Sequence, residues 1–135
     1  MWTCPKCERR FKVTNQSHMC VDKTIDDIFM EVSDHLVLAF DAIFRVVMEW
    51  EPTTAGASVH AVVFTNQRAW LIIKPMSKEL DVKFYYGEPI DSDIFKRIAE
   101  YKGKYAHHIR IKDEIEVTPE VMDLLRKGWE YGMEG

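Results

Sequence analysis

Between residues 59 and 86 three short apolar runs follow one another, each cut off by turn-forming residues. This succession limits the fold more than any other feature of the chain. Residues 59–64, 69–74 and 80–86 are rich in β-branched and aromatic side chains, which suit a pleated, half-buried surface. In the third run Leu80, Val82, Phe84 and Tyr86 alternate with Asp81, Lys83 and Tyr85, so one face is buried and the other meets water. Asn66-Gln67 stands where a tight hairpin turns, and Pro75-Met76-Ser77-Lys78 makes the second connection. The three runs read as an antiparallel meander.

Helical patterns flank the meander. Thr24 with Asp27 three positions on is a helix start, followed by Ile25, Ile28, Phe29 and Val32 at short-helix spacing. Ser33-Asp34 reads as a break and a new cap. Leu36, Phe40, Ile43, Val47 and Trp50 then recur at spacings of three and four, the apolar face of a helix over 35–50 that Glu51-Pro52 ends. Asp91-Ser92 can cap a further helix over 91–101, with Ile94, Phe95 and Ile98 inward, and 105–111 reads as a fourth strand after Gly103. Thr118-Pro119-Glu120 opens a last helix packed through Val121, Leu124, Leu125 and Trp129. The expectation is an α+β fold: a four-stranded, mostly antiparallel sheet packed with helices.

The opening residues differ in kind. Residues 1–20 hold Lys6, Arg9, Arg10 and Lys12 against Glu8, a net +3, which leaves the rest of the chain at −7 within a total of −4. An acidic body is a poor general partner for nucleic acid, because phosphate neutralisation supplies most of that affinity. With 47% hydrophobic and 30% charged residues the composition is that of an ordinary globular protein. No apolar run approaches the roughly 18–20 residues of a membrane span, and no basic flank leads into an apolar stretch as in a secretory signal. A cytoplasmic protein with reduced thiols and no membrane partner is expected.

Within the basic segment, Cys4-Pro5-Lys6-Cys7 and His18-Met19-Cys20 supply four ligands for zinc. Two residues between thiolates let a tight turn aim both sulfurs at one ion, and a Cys₃His set closes the tetrahedron with no position for substrate. A segment with few apolar side chains could scarcely order alone; metal binding supplies on the order of 10–16 kcal/mol in small zinc peptides. The other readings are a redox dithiol of Cys4 and Cys7, or a tail with incidental cysteines. The chain is therefore divided into a zinc knuckle over 1–22, its cofactor structural, and an α+β domain over 23–135.

Cys4-Pro5-Lys6-Cys7, Phe11, residues 15–20 (Asn-Gln-Ser-His-Met-Cys), Phe40-Asp41-Ala42 and residues 105–110 (Tyr-Ala-His-His-Ile-Arg) together resemble an uncharacterised bacterial domain-of-unknown-function family, numbered 5655. Some of its members begin with such a knuckle. The similarity covers most of the chain, with Glu8 and Met19 where the family pattern suggests glycine and serine. It implies the fold and the zinc, and no reaction.

Other groups carry weaker chemistry. His107 shares a strand face with Tyr105, Ile109 and Ile111, as a hydrogen-bonded core histidine or, less simply, a general base; His108 faces the other way, toward solvent. Asp81-Val82-Lys83 is half of a metal-dependent nuclease site, but the upstream Pro-Asp element is missing, so a surface pair is expected. Trp70, Tyr85, His107 and Trp129 are candidates to line an aromatic hollow, although aromatic strand residues are more often core. Lys6, Arg9, Arg10 and Lys12, with Trp2 and Phe11 nearby, could contact phosphates and stack a base, or form an ordinary solvated loop. Phosphate-binding glycine loops, nucleophile elbows, zincin helices and dinucleotide fingerprints are absent from the sequence. The expected function is thus a zinc-containing binding or adaptor protein, with nucleic acid or protein as partner. The alternative is a small-molecule-binding domain or weak enzyme built around His107.

Overall fold

The computed structural model describes residues 24–134, together with the backbone of two short strands, β1 (Trp2–Thr3) and β2 (Arg10–Phe11). β1 and β2 pair antiparallel, Trp2 opposite Phe11 and Thr3 opposite Arg10.

Helix α1 (Ile25–Ile28) begins in a capping box: Thr24 Oγ1 accepts from the Asp27 N–H at 3.2 Å, and the Asp27 carboxylate accepts from the Thr24 N–H at 2.9 Å. Helix α2 (Asp34–Val47) buries Leu36, Ala39, Phe40, Ile43 and Val47, one stripe at spacings of three, one, three and four. It stops three residues short of the expected end, yet Trp50 still packs on Trp70 with ring centroids 6.3 Å apart. Helix α3 (Pro119–Met133) has Thr118 as its cap, the hydroxyl accepting from the Val121 N–H, and proline in the first turn where its missing N–H costs nothing.

The strands are β3 (Thr54–Ala57), β4 (Val62–Thr65), β5 (Ala69–Pro75), β6 (Leu80–Tyr86), β7 (Arg97–Tyr101) and β8 (Lys104–Ile111). They form one six-stranded sheet in the order β3-β4-β5-β6-β8-β7, every neighbouring pair antiparallel. The expected four strands are therefore six, and both additions lie at the edges. β3 was hidden because Thr54-Ala55-Gly56-Ala57 contains no large apolar side chain, only backbone able to pair with β4. β4 starts at Val62, not Val59, because Ser58 turns the chain, its hydroxyl bonded to both the N–H and the carbonyl of Ala61.

β7 replaces the second half of the helix expected over 91–101. Lys102 and Gly103 have φ of 52° and 81°, the left-handed pair of a two-residue hairpin turn that sets Tyr101 opposite Lys104. From there residues 97–101 zip onto β8, and the Lys96 N–H extends the ladder to the His108 carbonyl. The Ser92 hydroxyl does accept a backbone bond, from the Ile94 N–H, but within an irregular turn.

Helices α2 and α3 lie on the same sheet face. Phe40 and Phe44 of α2 meet Phe64, and Gly128 of α3 abuts Phe84; Phe64 and Phe84 both stand opposite Leu71. The core is built from these helices and from Leu71, Ile73, Leu80, Val82, Phe84, Ile109 and Ile111, all essentially inaccessible to water. Each such aliphatic side chain stabilises the fold by about 1.5–3 kcal/mol. Trp70 joins this core although it neighbours Leu71. Between Phe64 opposite Leu71 and Thr65 opposite Ala69, Trp70 is the extra residue of a β-bulge, which re-aims its side chain inward. Among the described residues no helix is long and apolar enough to cross a membrane.

Candidate functional site

The sheet face opposite α2 and α3 carries most of the charged side chains of the strands. Strand alternation directs Lys74, Asp81, Lys83 and Tyr85 of β5 and β6 to it, and Lys104, His108 and Arg110 of β8, with Arg97 and Tyr101 of β7 in register beside them. Two clusters result, at opposite ends of β6.

At the β5–β6 turn, Asp81 Oδ1 accepts from His108 Nδ1 at 3.0 Å and from Arg110 Nε at 3.1 Å, while Arg110 Nη1 donates to Glu79 Oε1 at 3.1 Å. Asp81 and His108 side chains are only 16% and 12% exposed. The solvated His108 expected from sequence is thus a carboxylate-bound, largely covered one. Asp81 is engaged by these two side chains and does not pair with Lys83, whose ammonium lies 5.5 Å from the Tyr85 ring centroid instead. Among the described residues no group of three or more acidic, histidine or cysteine side chains could hold a metal ion.

The other end is aromatic and basic. Lys104 Nζ lies 4.1 Å from the Tyr85 ring centroid and 5.9 Å from that of Tyr101, and Lys102 Nζ lies 5.3 Å from Tyr101. Two tyrosine rings and three ammonium groups therefore share one patch. Among the described residues no carboxylate forms a salt bridge with Lys83, Lys102 or Lys104. Sequence reasoning missed this patch because β7 was read as helix; the signal present was Tyr101-Lys102-Gly103-Lys104-Tyr105, a glycine turn between matching tyrosines and lysines.

His107 faces the core and is completely buried. Its Nε2 accepts from the Ile90 N–H at 3.1 Å, which leaves the proton on Nδ1 to be donated to the Tyr105 carbonyl at 3.0 Å. Burial holds its pKa below the ordinary 6.5, opposed by the Tyr105 hydrogen bond and aided by neighbouring His108. Nε2 ties β8 to the 87–96 loop and Nδ1 is held by a carbonyl of its own strand, so neither is free to take a proton from a ligand.

The four residues considered for an aromatic hollow do not meet. Trp70 and His107 are buried in the core, Tyr85 is on the opposite sheet face, and Trp129 is half-buried on α3, its indole N–H donated to Thr53 and its ring 4.2 Å from the Arg126 guanidinium carbon. A cleft of about 500 Å3 does open between the end of β6 and α3, but Tyr86, Glu88, Lys127, Glu130 and Tyr131 line it, and none of the four does. Cys4, Cys7, His18 and Cys20, with Lys6, Arg9 and Lys12, lie outside the described residues, and Arg10 is described only by its backbone pairing with Thr3.

A family model described as a domain of unknown function (DUF5655) matches residues 25–132. No curated protein and no solved structure gives a match.

Proposed function

The chain belongs to the family described as a domain of unknown function (DUF5655), and we propose that it is a zinc-carrying binding module. One observation carries the zinc: the antiparallel ladder of Trp2–Thr3 with Arg10–Phe11. The residues between these strands, 4–9, include Cys4 and Cys7, a spacing at which a tight turn would aim two thiolates at one ion. His18 and Cys20 complete a Cys₃His donor set, whose chemistry fits a closed tetrahedral site. Zinc held by these four would be structural, ordering the knuckle over 1–22 beside the α+β domain over 23–135 in a reducing, cytoplasmic setting. Lys6, Arg9, Arg10 and Lys12 then give the knuckle a net positive surface for the phosphates of a nucleic acid.

Metal content and thiol titration of the purified chain test the first part. One zinc per chain is expected, with three thiols that react only after a chelator is added; freely titrating thiols on a metal-free protein would dismiss it. Binding of a single-stranded oligonucleotide at low salt that weakens with Arg9→Ala/Arg10→Ala supports the second part. Retained affinity in that double variant removes the knuckle as the contact.

A further inference from the structure

We propose that the sheet face opposite the helices is itself a surface for single-stranded nucleic acid, with Tyr85 and Tyr101 as stacking platforms and Lys83, Lys102 and Lys104 as phosphate contacts. It shares the ligand class of the knuckle reading and none of its residues. The described residues are acidic as a whole, yet Lys74, Lys83, Arg97, Lys104 and Arg110 converge on this face against Glu79 and Asp81. Those two acids are already bound by Arg110 and His108. The positive charge at the tyrosine end is therefore left for an external anion. The opening segment of the chain is itself basic, and so no electrostatic match for it.

The rings choose among anions. Tyr101 is 51% exposed and Tyr85 half-buried, both on the flat of the sheet. Lysines now rest against them, but exposed cation–π contacts are weaker than base–aromatic stacking. An arriving base displaces the ammonium from the ring toward the adjoining phosphate, so both groups gain a partner. Stacking requires unpaired bases, which favours single strands over a duplex. A membrane surface fits poorly: among the described residues the exposed non-aromatic apolar side chains, Met30, Leu38, Val46, Met76 and Ile115, all lie off the strands, and Met76 is in the β5–β6 turn, at the opposite end of β6 from Tyr85.

The test is fluorescence anisotropy of the full, zinc-loaded chain with oligo-dT and oligo-rU of about 15 nucleotides, the corresponding duplex, and anionic phospholipid vesicles. Tyr85→Ala is expected to weaken single-strand binding about tenfold, and Tyr85→Phe to leave it nearly unchanged. Lys83→Glu/Lys104→Glu, at solvent-reaching positions, should cut affinity further and flatten the salt dependence by more than the roughly 0.7 per phosphate contact expected of neutralisation alone. Circular dichroism checks folding, and the lysine variant decides the matter should Tyr85→Ala misfold. Unchanged affinity in both sheet variants, with loss in Arg9→Ala/Arg10→Ala, overturns this inference and leaves the knuckle. Loss in the sheet variants alone overturns the knuckle. No binding of either oligonucleotide, or equal binding of duplex or vesicles, defeats the proposal for this face.

Discussion

The imidazole of His107 stacks on Phe84 with ring centroids 5.0 Å apart and meets the Phe95 ring edge-on at 4.9 Å. A proton added to it would have to occupy Nε2, where the Ile90 N–H already points. Its pKa in the folded chain therefore lies below the ordinary 6.5, with burial the largest cause. The sign of the linkage follows. As pH falls, the unfolded chain takes up this proton first, near 6.5, and the folded chain only lower down, so His107's contribution is complete above that range and declines below it. Urea unfolding at about pH 7.5 and 5.5 should give a smaller loss of stability on acidification in His107→Gln, which cannot titrate, than in the wild type. Equal losses in the two proteins would mean that His107 is not held neutral. A second residue acts through the space it leaves empty. A Cβ on Gly128 would sit 2.9 Å from Phe84 Cδ2 and 3.1 Å from its Cβ. Alanine favours a helix over glycine by up to about 1 kcal/mol, but Phe84 is fully buried and cannot step aside. Overpacking costs about 1–3 kcal/mol, so, with the helix gain set against it, Gly128→Ala is expected to destabilise by up to about 2 kcal/mol in denaturant melts.

At the level of elements, the β7–β8 hairpin rests on one strained position. Lys102, at φ 52°, has a Cβ in a region that suits asparagine and glycine. Lys102→Asn should raise stability by about 0.5–1 kcal/mol, read as a higher thermal midpoint; a fall would show that the turn needs the lysine. The same hairpin marks where sequence stops being informative. β6 could be read from its strict alternation, and α3 from Thr118-Pro119-Glu120, because those signals are local and strong. β3 could not, since its small side chains carry no pattern. Ile94, Phe95 and Ile98 fit a helical face as well as the loop and strand they occupy, and only pairing with β8 decides between them. Trp70 points inward through a bulge defined by its partner strand, not by its own neighbours. The tyrosine–lysine patch is the extreme case: Tyr85 and Lys83 come from β6, Lys104 from β8 and Tyr101 from β7, so it exists only once three strands are in register.

For the molecule as a whole, the question is what the proposed zinc would hold together. Residues 24–134 contain a core of their own, with α2, α3 and strands β4, β5, β6 and β8 contributing side chains that are almost entirely shielded from water. The opening segment has the opposite character: of its first 20 residues few are large and apolar, so the proposed zinc would be its main source of order. Metal removal should therefore separate the two in a single experiment on the intact chain. With a strong chelator the main thermal transition is expected to stay in place, because its cooperative unit is the α+β core. Limited proteolysis, monitored by mass, should meanwhile release fragments that begin near Thr24, whereas a chain holding the proposed zinc would resist cutting. A large fall of the main transition on chelation would mean that the zinc-dependent segment is part of the body's own packing. The nucleic-acid test would then have to treat the knuckle and the sheet face as one surface, since charge changes in either would disturb the other.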